Sequence, residues 1–372
     1  MGSFAERNVE IILAHQHPFG AYPASPNFPI YRYCWFRDGS YIAYAMDLVS
    51  KHASARRFHD WAVGALLRRI EVIHRAISKA ENDQPLSSEN ILHTRYTVGG
   101  EEGDDEWPNF QLDGFGTWLW ALAEHLRLTG TSALPDSWRQ AVDLIAEYLN
   151  ALWQYPCFDL WEEFPDHVHP HTLAAIYGGL NAHSRMTGVS HQTTLEKINA
   201  ALSMNSTQFG HFTKLPGSPS VDASLLGLAV PYAAVALDDP VMLATVAQIE
   251  KTLVCGGGLH RYAADTYYGG GEWLLLTAWL GWYYCKLADK NKELASQALE
   301  KARSALLWVE QQAGIGAKAG WLPEQVAHNL NATSYYPLWL ARWGEIANPL
   351  LWSHAKYIIL EHHLQQVDQI SQ

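Results

Sequence analysis

Apolar residues recur at helical spacing along nearly the whole chain, and this periodicity constrains its fold more than any other feature. In 113–127, Phe115, Trp118, Leu119, Leu122 and Leu126 fall on one stripe, as an amphipathic helix facing a core requires. Similar runs cover roughly 38–50, 56–79, 136–152, 171–185, 193–203, 240–252, 272–288, 292–313 and 349–366. Sustained alternation and tight two-residue turns are scarce, so strand signals are weak. Between these helices lie long segments rich in Gly, Pro, His and aromatics, at 15–37, 93–112, 154–170, 205–221, 255–271 and 314–337. Short turns alternating with such loops predict an all-α ring of helical hairpins, the long loops gathered at one end. With no linker or low-complexity segment to divide it, residues 1–372 are expected to form a single domain.

Charge and cysteine usage exclude several classes. A formal charge of −12 and the absence of a Lys/Arg-rich run argue against nucleic acid and against a membrane surface. Apolar stretches end well short of a membrane span. Cys34, Cys157, Cys255 and Cys285 are scattered, with no CxxC pair, and read as small buried hydrophobes in a reducing compartment. Glu6, Arg7 and Glu10 precede any long apolar run, so no signal peptide is visible and a cytoplasmic location is expected. His167, His169 and His171 come nearest to a metal motif but lack spaced acid or Cys partners; no metal or other cofactor is expected. No Gly-x-Ser-x-Gly elbow is present.

The chemistry concentrates in the loops. Two glutamates, Glu162 in Leu160-Trp161-Glu162-Glu163 and Glu324 in Leu322-Pro323-Glu324-Gln325, are 162 positions apart and could meet only through the fold. Two carboxyl groups facing each other across a sugar can cleave a glycosidic bond, one as acid and one as base. A Glu-Glu doublet is also a common surface pair, but the Trp161 context favours a desolvated, protonated acid. In Tyr31-Arg32-Tyr33-Cys34-Trp35-Phe36-Arg37-Asp38, Asp38 could be a helix N-cap. A sugar reading also uses Arg37 as donor, Asp38 as acceptor and a ring as stacking face. In Trp107-Pro108-Asn109-Phe110-Gln111-Leu112-Asp113-Gly114 a cap accounts for Asp113, whereas Gln111 and Trp107 suit a pocket lining. Gly258 to Trp273 holds Arg261 among tyrosines, then Gly269-Gly270-Gly271, which lets backbone pass close to substrate or to a neighbouring loop. The 16 Trp and 18 Tyr are mostly core, but those embedded in polar motifs are apt for stacking on sugars.

Taken in order, the loops resemble glycoside hydrolase family 15, the glucoamylase-like enzymes. The resemblance rests on Tyr-x-Tyr-x-Trp-x-Arg-Asp at 31–38, Gln-Leu-Asp-x-x-Gly at 111–116 and Asp-Leu-Trp-Glu-Glu at 159–163. It continues in Arg-Tyr-x-x-Asp-x-Tyr-Tyr at 261–268, Pro-Glu-Gln at 323–325 and Pro-Leu-x-Trp-Ser-His-Ala at 349–355. It implies an (α/α)6 barrel and an inverting exo-hydrolase that releases β-glucose from the non-reducing end of an α-glucoside. Glu162 matches the general acid and Glu324 the general base. Arg37 and Asp38 match residues that hold the terminal glucose, with Trp35 and Trp107 as aromatic walls and Trp161 beside them. Glu163 and Arg261 match ligands on the leaving-group side, and Tyr31 a tyrosine near the base and the attacking water, steadied by Tyr267. The chain begins almost directly at the first substrate loop, so the N-terminal β-sandwich of many bacterial members and a starch-binding module are expected to be missing. Short imported oligosaccharides suit such an enzyme, with α-1,6-linked isomaltose first, maltooligosaccharides next and trehalose third. A non-catalytic sugar sensor and an inverting phosphorylase are the rivals. Nothing in the sequence distinguishes a monomer from a homodimer.

Overall fold

Residues 3–131 and 133–370 are described in this computed structural model. The helices in chain order are α1 (Phe4–His15), α2 (Phe36–Leu48), α3 (His52–Leu67), α4 (Ile70–Glu81), α5 (Asp113–Leu128), α6 (Asp136–Leu152) and α7 (Pro170–Thr187). They continue as α8 (Gln192–Ser206), α9 (Pro240–Leu253), α10 (Leu274–Lys290), α11 (Ala295–Gln311), α12 (Tyr336–Trp343) and α13 (Leu351–Ile370). Six two-residue strands lie in the connections: β1 (Cys34–Trp35), β2 (Arg95–Tyr96), β3 (Val254–Cys255), β4 (Gly258–Leu259), β5 (Glu272–Trp273) and β6 (Gln325–Val326).

The chain packs as two compact units. One comprises 16–24 and 33–204, the other 1–15, 25–32 and 205–372. In the first, α2, α5 and α7 are buried along most of their length, whereas α3 and α6 each bury one face. The inner three run parallel. Their first turns meet where Arg37 Nη1 lies 3.1 Å from Asp113 Oδ2 and His171 Nε2 lies 3.7 Å from the same oxygen. Further along, α2 and α5 meet again where His125 Nδ1 lies 2.9 Å from Asp47 Oδ2. The loops at 93–112 and 154–170 therefore enter at the end that holds Arg37. Close approach of α5 and α7 depends on glycine: a Cβ on Gly116 would lie 2.3 Å from the Ala175 carbonyl oxygen. Burial of Trp118, Leu119 and Leu122 on α5 contributes about 1.5–3 kcal/mol each.

In the second unit the buried segments are a 3-10 stretch, Ala223–Leu228, with α10 and α13; α9, α11 and α1 flank them. The Asp222 side chain accepts from Ser224 N at 2.8 Å, and Asp239 caps α9 by accepting from Val241 N at 2.8 Å. Strands β3 to β6 form a small antiparallel sheet in which Trp273 pairs with Gln325. With α3 and α6 beside the buried helices of one unit, and α9, α11 and α1 beside those of the other, the described residues make an all-α fold.

Several expectations are corrected. The expected helix 56–79 is two helices, because Arg68 and Arg69 break it. Arg69 Nε donates to Glu102 Oε1 at 2.8 Å, and Arg68 Nη2 donates to Gly100 O at 2.9 Å. Helix α1 and helix α12 lie outside the expected helical runs; α12 overlaps the segment read as loop only at 336–337 and continues to Trp343. Asp38 and Asp113 are not N-caps, since α2 starts at Phe36 and α5 at Asp113 itself, with no side-chain cap on either. Cys255 is exposed, not a buried hydrophobe. No helix among the described residues is long and apolar enough to cross a membrane.

Candidate active site

In the first unit, two distant segments hold the Glu162 carboxyl. Trp35, in β1, donates its Nε1–H to Glu162 Oε1 at 2.7 Å, and Gln111 Nε2 donates to the same oxygen at 3.2 Å. The Gln111 Oε1 in turn accepts from Arg37 Nη1 at 2.9 Å, which also donates to Asp113 Oδ2 at 3.1 Å. A buried relay thus runs from the start of α5 through Arg37 and Gln111 to the Glu162 carboxyl. The backbone at Glu162 is left-handed, with φ +69°, and Phe164 follows at +52°. Non-glycine residues occupy this region at a cost of about 1–3 kcal/mol, so the surroundings must enforce it. Asp159 does so: its Oδ1 accepts from Trp161 N and Glu163 N, both at 2.9 Å, while Glu162 N donates to the Asp159 carbonyl at 2.9 Å. Trp161 is buried in this turn, and Glu163 is half-buried.

Asp38 is almost fully buried; its Oδ2 lies 3.6 Å from Arg37 Nε and has no hydrogen-bond partner among the described residues. Burial pushes its carboxyl up to about 7; Arg37 opposes the rise, while Glu162 and Asp113 add to it. For Arg37, burial acts to lower the pKa, but Asp113, Asp38 and Glu162 outweigh it and the guanidinium stays charged.

The aromatic wall rests on a cation. Trp35 and Trp107 meet edge to face with centroids 5.9 Å apart. The Arg95 guanidinium carbon lies 3.7 Å from the Trp107 ring centroid, 4.0 Å from Tyr33 and 5.3 Å from Trp35. Arg95 is paired with Asp105, which also accepts from Tyr33 Oη at 3.1 Å. Pairing of β1 with β2 places Arg95 opposite Trp35.

In the second unit, Tyr31 Oη and Tyr267 Oη share a hydrogen bond at 2.9 Å. Burial raises the Tyr267 pKa well above its usual value, with Glu324 and Tyr31 adding to the effect, so the phenol keeps its proton. Glu324 is buried and its amide donates to Ala347 O at 2.9 Å. Gln325 next to it ties the 267–271 segment down, accepting from Gly271 N at 2.9 Å and donating to Tyr267 O at 3.3 Å. A Cβ on Gly271 would sit 2.2 Å from Val326 O, so here the glycine run accommodates the neighbouring strand. Arg261 is buried and bound by both oxygens of Asp265.

The structure therefore clusters Trp35, Arg37, Asp38, Trp107, Trp161, Glu162 and Glu163 in one unit, and Tyr31, Arg261, Tyr267 and Glu324 in the other. Sequence reasoning missed Arg95 and gave no role to Asp159 or Asp265, although both aspartates stood inside quoted motifs. His169 Nε2 contacts the carbonyl oxygens of Cys157 and Phe164 at 3.1 and 2.9 Å, a packing role in the turn carrying Glu162.

Comparison with known proteins agrees with these motifs. The chain is 40% identical to isomaltose glucohydrolase of Kribbella flavida over 97% of its own length and 92% of that protein's. A glycosidase variant solved in complex with glucose superposes with a TM-score of 0.89 at 40% identity, covering 97% of this chain and 96% of the other. Glucoamylase from Saccharomycopsis fibuligera, at 15% identity, has a TM-score of 0.71 with 98% and 95% covered, which supports the all-α (α/α)6 fold class. The model of the family described as "Glycosyl hydrolases family 15" matches residues 3–336, and the chain belongs to that family.

Proposed function

We propose that the protein is an inverting exo-glucosidase that releases β-glucose from the non-reducing end of isomaltose and short isomaltooligosaccharides. Glu162 protonates the departing oxygen, and Glu324, ionised, takes a proton from the attacking water. Arg37 and Asp38 bind the terminal glucose against Trp35 and Trp107, with Trp161 packed beside Glu162. Glu163 and Arg261 act on the leaving-group side, and Tyr31, hydrogen-bonded to Tyr267, steadies the water. The observation that carries this reading is the polar cage on Glu162, a carboxyl fixed by Trp35 and Gln111 on a backbone turn that Asp159 enforces. The α-1,6 preference draws on the 40% identity to a protein named isomaltose glucohydrolase across nearly both chains. A cytoplasmic location, with imported oligosaccharides as substrate, belongs to the same proposal.

Initial rates on isomaltose, maltose and trehalose test the linkage, with isomaltose expected to be fastest. A higher kcat/KM on maltose or trehalose overturns the α-1,6 assignment and leaves the hydrolase. Proton NMR in early turnover is expected to show β-glucose first, and α-glucose as first product overturns inversion. Phosphate-dependent turnover would identify a phosphorylase.

A further inference from the structure

Away from the residues above, α2, α3 and α5 each bring one ligand-type side chain to a common point. Asp47, His59 and His125 offer ligand atoms that all lie within 4.8 Å of one another, and none of the three is more than 4% exposed. Asp47 accepts from His125 Nδ1 at 3.0 and 2.9 Å and from His52 Nδ1 at 2.8 Å. His59 is the unusual member. It is wholly buried, and neither ring nitrogen has a hydrogen-bond partner among the described residues. Its ring lies 5.1 Å from the His125 ring and 5.8 Å from Trp138. An imidazole with two orphaned polar atoms in a packed interior destabilises the fold unless something binds there.

We propose that Asp47, His59 and His125 form a binding site for a divalent transition-metal ion of the zinc class. Two imidazoles and one carboxylate suit zinc, whereas calcium and magnesium require mostly oxygen ligands. The carboxylate supplies the negative charge that a buried cation needs. His52, with over a third of its side chain exposed, contacts the same carboxylate from the solvent side and marks the route of entry. With the His125 proton on Nε2, its Nδ1 is free to ligate, and small side-chain rotations would bring the three ligand atoms to bonding distance of about 2.0–2.2 Å from one ion.

The placement says what the ion does. Helices α2 and α5 are joined at their first turns by Arg37 and Asp113, and a metal would clamp them nearer their other ends. Asp47 lies nine residues beyond Asp38, about 14 Å along the helix, too far to touch a sugar bound at Asp38. The site is structural: it stiffens the two helices that carry the Arg37 relay and takes no part in bond cleavage.

The test uses the full chain, stripped with a chelator and dialysed against zinc chloride or cobalt chloride. One zinc per chain is expected by elemental analysis, with a rise in Tm of about 3 °C at saturating metal. Cobalt is expected to give the intense visible bands of a low-symmetry, four- or five-coordinate site. His59→Gln and Asp47→Asn should each lose the bound ion and the Tm rise, while kcat of stripped wild type stays within about twofold of the metal-loaded protein. No retained ion in wild type overturns the proposal. So does equal retention in a folded His59→Gln variant, which would place the ion on surface histidines. If both variants fail to fold, the wild-type cobalt spectrum decides: weak octahedral bands count against the site.

Discussion

Trp35 Nε1 lies 2.7 Å from Glu162 Oε1, and this hydrogen bond joins the short strand β1 to a carboxyl held in a left-handed turn. Removing it tests whether Glu162 must be fixed to work. Trp35→Phe keeps a ring and deletes the donor, and is expected to lower kcat/KM about 10- to 100-fold, the equivalent of one hydrogen bond to the carboxylate that forms as Glu162 gives up its proton. Steady-state kinetics on isomaltose beside Glu162→Gln, expected to lose at least about 100-fold in kcat, checks it. Wild-type kinetics from both variants would sink the assignment of Glu162.

Asp159 acts through the backbone of the same turn. Asp159→Ala removes the acceptor for two amides and should release Glu162 from φ +69°, lowering kcat by about 100-fold with a small change in KM. Asp159→Asn retains one acceptor oxygen and should recover much of the loss. Equal damage from both would show that charge, not turn geometry, is what Asp159 supplies.

Arg95 lies under Trp107 and Tyr33 with Asp105 as its counter-ion. Arg95→Leu is expected to raise KM roughly tenfold while kcat falls less, because the aromatic wall loses its support and the carboxyl chemistry is intact. A kcat loss with unchanged KM would contradict that reading.

Asp38 makes stability depend on pH. Its folded pKa of about 7 lies above the ordinary aspartate value, because of burial. Between about pH 4 and 7 the unfolded chain releases this proton while the folded chain keeps it, so this group reduces stability as pH rises, and the penalty is fully present above pH 7. Urea unfolding at pH 5 and pH 8 should show Asp38→Asn gaining stability relative to wild type at the higher pH. The same variant should lose kcat/KM. A constant difference across that range would refute the shifted titration.

Gly116→Ala tests the crossing of α5 and α7. The added methyl would collide with the Ala175 carbonyl, and a loss of about 3 kcal/mol or more is expected from urea melts. An unchanged midpoint would mean that the helices separate at little cost.

The sequence by itself determined the helical class, the alternation of helices with long loops, and the motifs that hold Glu162, Arg37, Asp38 and Glu324. These were legible because apolar periodicity and short polar-aromatic motifs are local patterns. The tertiary structure decided what local patterns cannot encode. The periodicity of 56–79 runs unbroken through Arg68 and Arg69, yet the helix ends there because their guanidinium groups find partners some thirty residues away. Asp113 reads as a cap, and only the meeting of α2 with α5 makes it the partner of Arg37. Arg95 has no motif, and the pairing of β1 with β2 alone sets it under the aromatic wall. Charges in a low-dielectric interior are stable only where distant segments supply their counter-charges and hydrogen bonds, and those distances belong to the fold.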